Sequence, residues 1–225
     1  MTLASPLMTA SPSPPSPSAT KPELRAWARA LRDAVPAAER AAAAAAIARI
    51  VDDELFSRLA AGDVVALFAA MGSELDLRDL DVRARARGLR VAYPRVVRRE
   101  RPLRFHLARL DELRVATFGV PEPDPSAAPV ATEAIAQMIM PGLAFTAAGA
   151  RLGWGAGHYD ATLAHAHVRS IGVTLALLVV DALPEGPHDR RVDVVVTERG
   201  LVRDGGGGGG PSSSTLATPP PRGQT

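Results

Sequence analysis

The sequence predicts an α/β fold, a single Rossmann-like domain with a mainly parallel sheet and helices on both faces. Three observations lead there. Short apolar runs alternate with helix-patterned segments along the chain. Several of those runs are apolar throughout, as strands covered on both faces are. No run reaches the ~20 residues that span a bilayer, since the longest candidate, IGVTLALLVVDAL, is short and carries Asp181.

The elements follow in order. Residues 22–34 pattern as a helix, with Pro22 in its first turn and Leu24, Trp27, Ala28 and Leu31 on one face. Residues 37–60 pattern as a longer, Ala-rich helix with Ile47, Ile50, Val51, Leu55 and Leu59 on its buried stripe. Gly62 and Asp63 break the chain, and VVALFAA (64–70) reads as a buried strand. A helix over 77–87 stops at Gly88, and LRVAY (89–93) is the next strand. Leu103, Phe105 and Leu107 alternate with polar residues, which marks a half-exposed strand. A loop with five prolines between 121 and 141 accompanies the buried strand AQMIM (136–140). Residues 159–167 look helical, and IGVTLAL (171–177) and VDVVVT (192–197) complete the strands. Ligands in such sheets bind beyond the carboxyl ends of the strands. MGSELD, YPRV and PGLAF should therefore share one rim.

Composition varies along the 225 residues. Residues 1–20 are rich in Ser and Pro, and residues 205–225 in Gly, Ser and Pro. Neither segment can bury enough apolar surface to offset its ordering entropy, so both are expected to be disordered tails around a domain at 21–204. With no cysteine, disulfides, thiolate catalysis and Cys-based zinc sites are excluded. No basic start precedes an apolar run, so no signal peptide is expected. These features predict a cytoplasmic monomer without a membrane partner. Net charge is only +2, with arginines interspersed among acids, and no nucleic-acid partner is expected. The 26 basic residues are 25 arginines and the single Lys21. Arg is a planar fork and Lys a point charge on a flexible stem, so the two differ at a phosphate.

RLGWGAGHYD (151–160) is the most distinctive stretch. It is neither a Walker loop nor the GxGxxG fingerprint, since His158 stands where the last glycine would fall, and it does not directly follow a strand of the predicted set. Alternating glycines still let backbone N–H groups converge on an anion, and a helix starting near Asp160 adds positive potential. The plainer reading is a turn, with Asp160 as a helix cap that Asn would replace at little cost. Glu74 and Asp76 are spaced to share one side of an extended segment, either to grip a ligand or to cap the next helix. His165 and His167 do not share a helix face. His188–Asp189 sits in a turn-like PEGPHD segment.

Taken together, MPGLAFTAAGARLGWGAGHYDATL is similar to the PG-x-AF-x3-G-x-RLG-x-G-x-G-x-YD motif of the 5-formyltetrahydrofolate cyclo-ligase family. KPELR, MGSELD and LPEGPHDRRVDVVVTE resemble three further segments of that family, and the resemblance runs from about 21 to 200. Ala156 stands where members carry Gly or Lys, His158 replaces the first of two aromatics, and Leu77 stands where Thr is common.

The resemblance implies a fold like that of sugar-phosphate isomerases and CoA transferases. It implies conversion of 5-formyltetrahydrofolate to 5,10-methenyltetrahydrofolate with ATP and Mg2+ as cofactors and release of ADP and phosphate. It implies ATP contacts from Lys21, Arg25 and the loop of Arg151, Leu152, Gly153, Trp154, Gly155, Ala156, Gly157, His158 and Tyr159. Lys21 and Arg151 would neutralise the transferring phosphoryl group. Asp160 and Asp189 would hold magnesium, and Met71, Glu74, Asp76, Trp154 and His158 would contact the folate. A sugar-phosphate isomerase or CoA-transferase-like enzyme, or a non-catalytic folate- or nucleotide-binding protein, are the alternatives.

Overall fold

The computed structural model describes residue 16 and residues 18–98, 102–116 and 119–203. Nearly all of both predicted tails, and residues 99–101 of the basic run RVVRRER, lie outside the described residues. Among the described residues, no helix is long and apolar enough to cross a membrane.

Among the described residues, four α-helices and twelve short strands form. The helices are α1 (Lys21–Ala34), α2 (Ala37–Glu54), α3 (Arg78–Ala86) and α4 (His158–His165). The first six strands are β1 (Val64–Ala66), β2 (Arg90–Arg95), β3 (Arg104–Leu107), β4 (Arg114–Val115), β5 (Pro121–Glu122) and β6 (Pro129–Val130). The rest are β7 (Ile135–Pro141), β8 (Ala144–Phe145), β9 (Arg151–Leu152), β10 (Arg169–Val173), β11 (Val194–Thr197) and β12 (Gly200–Val202).

Eight strands make one sheet in the order β12-β11-β10-β7-β1-β2-β3-β6. Its centre, from β11 to β2, is parallel. Both edges are antiparallel: a short turn returns β12 beside β11, whereas β3 and β6 are brought together by a longer connection that carries β4 and β5. The expected mainly parallel α/β architecture is therefore present. Its faces are covered unequally. α1, α2 and α3 bury Leu31, Ile47, Val51 and Leu80 against one face. On the other, Tyr159 and Leu163 of α4 pack beside Leu103, Phe105 and Phe145.

Glu23 accepts the Thr20 backbone N–H at 2.8 Å, which satisfies an otherwise orphaned donor at the entrance of α1. α2 ends six residues before the predicted limit. The Gln137 side chain takes the Leu55 carbonyl at 3.2 Å, and a 3-10 turn over Phe56–Arg58 keeps both Leu55 and Phe56 in the core. The apolar run at 64–70 pairs only as far as Ala66. Leu67, Phe68 and Ala69 stay buried beyond the strand end, so apolarity there serves a pocket floor and not a ladder. The β8–β9 and β11–β12 hairpins were not expected from the sequence. Phe145 of β8 lies against Gly172 of β10, where a Cβ would fall 2.2 Å from its ring. That contact seats the hairpin on the sheet.

Candidate active site

A cleft of about 470 Å³ opens beyond the ends of β1, β2 and β7, on the expected rim. Its lining divides by chemistry into a polar set of side chains and an apolar set, termed the polar and apolar lobes, and the β8–β9 hairpin contributes Arg151 and Leu152 at the start of the polar loop. Leu143 donates to Leu152 at 2.8 Å and Thr146 to Ala150 at 2.9 Å, which fixes Arg151 at the cleft wall. The Arg151 side chain is 5% exposed. Its Nη2 donates to Asp160 Oδ1 at 2.9 Å, and its guanidinium lies 5.6 Å from the Tyr159 ring centre. Its Nε is buried with no hydrogen-bond partner among the described residues. A buried charged donor left open is costly unless a ligand completes it.

The glycines now have separate reasons. A Cβ on Gly153 would fall 2.7 Å from Arg151 Nη1, so that position must be bare for the guanidinium to lie there. Gly155 and Gly157 adopt φ of +99° and +70°. Gly157 caps α4, and its carbonyl accepts Ala161 N–H at 2.9 Å. The loop therefore does follow a strand, contrary to the sequence expectation: β9 precedes it directly and α4 follows. Strand, glycine turn and helix N-terminus form an arrangement suited to anions.

Asp160 is not the helix cap. It is the third residue of α4, and its Oδ1 also accepts Arg190 N–H at 3.1 Å. Asp189, next to Arg190, pairs through Oδ2 with Lys21 Nζ and with the Gly186 backbone. Partial burial opposes ionisation of Asp189, but Gly186 and Lys21 outweigh it and hold its carboxyl below the ordinary 3.8. Among the described residues the bonds to Asp160 fall on Oδ1 and those to Asp189 on Oδ2, which leaves the second oxygen of each carboxylate to face a ligand. Among the described residues no group of three or more His, Cys, Asp or Glu could hold a metal. This donor set suits a cation held by one or two carboxylates plus phosphate oxygens, as magnesium commonly is.

The apolar lobe is lined by Phe68, Met71, Pro94, Leu103, Val120 and Pro141. Between the lobes stand Glu74, Trp154 and Tyr159. Trp154 is 40% exposed, and its Nε1 donates to Glu74 Oε1 at 2.8 Å. Glu74 Oε2 accepts Met71 N–H at 2.9 Å. Burial pushes the Glu74 carboxyl above its ordinary value, even with those donors and Arg32 nearby. Burial likewise raises the Tyr159 phenol.

Lys21, Arg25, Met71, Glu74, the whole run Arg151–Asp160 and Asp189 all line this cleft. Asp76 does not. Its side chain is exposed, accepts Arg78 N–H at 3.0 Å and pairs with the Arg78 guanidinium at 3.5 Å. Glu74 closes a turn, its N–H donating to Met71 O at 3.0 Å, and it lines the cleft while Asp76 stays at the surface. Sequence reasoning missed Arg32, which is 5% exposed and donates from Nε to Ser73 Oγ at 3.0 Å. Its spacing of seven from Arg25 was the available signal.

The model of the 5-formyltetrahydrofolate cyclo-ligase family matches residues 17–198.

The chain belongs to the 5-formyltetrahydrofolate cyclo-ligase family.

A curated 5-formyltetrahydrofolate cyclo-ligase of Mycolicibacterium smegmatis is 41% identical over 105 residues, 45% of this chain and 54% of that protein. The chain thus spans about half the length of the curated relative it matches. The NMR structure of Aquifex aeolicus 5,10-methenyltetrahydrofolate synthetase is 26% identical with a TM-score of 0.71, covering 86% of this chain and 97% of that one. A 5,10-methenyltetrahydrofolate synthetase from Mycoplasma pneumoniae shares the fold at 19% identity, with a TM-score of 0.65 over 79% of this chain and 98% of that one.

Proposed function

We propose that residues 21–204 form an enzyme that converts 5-formyltetrahydrofolate to 5,10-methenyltetrahydrofolate, using MgATP and releasing ADP and phosphate. Family membership supports the reaction class. The observation that carries the reading is Arg151, a buried guanidinium with Nε open, beside a glycine loop at the polar end of a two-lobed cleft. The polar lobe suits a nucleotide phosphate, and the apolar lobe next to it suits a pterin.

A formamide is a poor electrophile, and ATP supplies the phosphoryl group that activates it. The formyl oxygen attacks the γ-phosphorus and ADP leaves. The N10 amine then attacks the activated carbon and loses its proton, and the C–O bond breaks to release phosphate. The protein's work is positioning and charge neutralisation. Lys21 and Arg151 bear positive charge at the polar lobe, and Arg25 fixes the loop by donating Nε–H to Gly153 O at 2.8 Å. Asp160 and Asp189 are the residues to hold magnesium. Glu74, Met71, Trp154 and His158 contact the folate, with Trp154 presenting a partly exposed ring.

The test is incubation with 5-formyltetrahydrofolate and MgATP. Methenyl absorbance and ADP should rise together, and neither should rise when ATP is omitted. Absence of turnover with both substrates present rejects the proposal.

A further inference from the structure

One face of α1 grips the glycine loop through three arginines. Arg25, Arg29 and Arg32 are spaced i, i+4 and i+7, so they form one stripe. Arg25 takes the Gly153 carbonyl, and the guanidinium carbons of Arg29 and Arg32 lie 5.9 and 5.2 Å from the Trp154 ring centre. Arg32 differs from the other two because it is buried and reaches a third segment, donating to Ser73 Oγ. Ser73 in turn bonds Asp33. Trp154 closes the circuit by donating to Glu74, whose other oxygen accepts Met71 N–H. Arg32 does not line the large cleft. It lines an adjoining small pocket of about 10 Å³, with Glu74 and Thr174.

We propose that Arg32 is a positioning residue that couples the 71–74 segment of the apolar lobe to the glycine loop of the polar lobe. Its cation lies over the Trp154 ring and its Nε–H bonds Ser73, so both walls are set from one side chain. Arg alone offers a flat face and an Nε–H at the same time, so Lys cannot substitute. Burying an arginine is unfavourable, and burial lowers its proton affinity while Glu74 and Asp33 counter that. Its place beside the site is explained by this coupling.

The catalytic consequence rests on the proposed function. The structural consequence does not, so the experiment has two arms. Trp27 Nε1 has no hydrogen-bond partner, so Trp27→Phe leaves Trp154 as the sole indole reporter at little cost. In that background, Arg32→Lys should raise iodide quenching of Trp154 about twofold or more and lower its anisotropy. Ser73→Ala, which removes only the hydroxyl, should move both in the same direction by less. Unchanged quenching in both variants overturns the proposal whether or not the protein turns over. In the second arm, Arg32→Lys and Trp154→Phe should each lower kcat about tenfold, and the double variant should be no worse than the poorer single. Losses that multiply in the double variant overturn the coupling. A wild-type protein without turnover rejects the proposed function and leaves the fluorescence arm to judge Arg32.

Discussion

Asp160→Asn separates a helix cap from a counter-ion. Asn caps a helix about as well as Asp, so a capping role predicts no loss of stability. The structure predicts a loss, because Arg151 is buried and Asp160 lies 2.9 Å from its Nη2. At that distance, with an effective dielectric of ~20, the gross attraction is about 6 kcal/mol. Most of it offsets desolvation, and Asp160, 24% exposed, is partly screened by water. Asn still accepts a bond from the charged guanidinium but supplies no counter-charge, and hydrogen bonds involving charged groups are worth ~1.5–3 kcal/mol in all, so only part of that is lost. The net cost is about 1–2 kcal/mol, or a Tm lower by about 2–8 °C for a chain of this size. Thermal unfolding in chelator measures it. Added ATP without metal should raise the Tm of the variant more than that of the wild type, because phosphate restores the charge missing beside Arg151. An unchanged Tm, or an equal ATP response, would refute the counter-ion role.

Lys21→Ala should raise the KM for ATP about tenfold, which is ~1.4 kcal/mol, while changing stability by less than ~1 kcal/mol, because Lys21 and Asp189 are both part exposed. Wild-type kinetics would make Lys21 a tolerated surface residue. The carboxylates Glu74 and Asp189 should give opposite pH dependences in urea unfolding. Glu74 holds its proton more tightly when folded, so its contribution is full below 4.5 and lost as pH rises through the raised value. Asp189 contributes above 3.8, and loses that contribution as pH falls through its depressed value. Glu74→Gln should therefore cost more at about pH 4 than at about pH 7, and Asp189→Asn more at about pH 6 than at about pH 3. A Cβ on Gly149, at φ +85°, would meet Val192 O at 2.1 Å, so Gly149→Ala should cost about 2 kcal/mol or more. Gly153→Ala should lower kcat/KM about tenfold by displacing Arg151, with a Tm loss no larger than that of Asp160→Asn, and equal kcat/KM would detach that guanidinium from catalysis.

The polar lobe was legible in the sequence because it is built from local and unusual features. Alternating glycines, a lone lysine among arginines and two aspartates beside turns keep their meaning without tertiary context. The job of Asp160 was not legible. Gly157 takes the cap in a left-handed conformation, and only the fold shows that Asp160 faces a buried arginine. The separation of Asp76 from Glu74 was not legible either, since spacing of two predicts a shared side only in extended chain, and here Glu74 lines the cleft while Asp76 pairs with Arg78 at the surface. The apolar lobe was hidden because Phe68, Leu103, Val120 and Pro141 come from separate segments and read as strand or loop. Arg32 was hidden by its type, because a charged residue on an amphipathic helix reads as solvent-facing. The two-residue strands β8 and β9 are too short for any period to register.

The central claim is that one cleft joins a nucleotide phosphate to a formyl-folate. Turnover of 5-formyltetrahydrofolate by wild-type protein with MgATP tests it most directly, with ADP and methenyl absorbance followed in the same sample. Equal amounts of both products are expected, with none without ATP and a rate at least about tenfold lower for Arg151→Lys, which keeps the charge but loses the planar fork and its Nε–H. ADP release without methenyl product, or methenyl product without ATP, would contradict it.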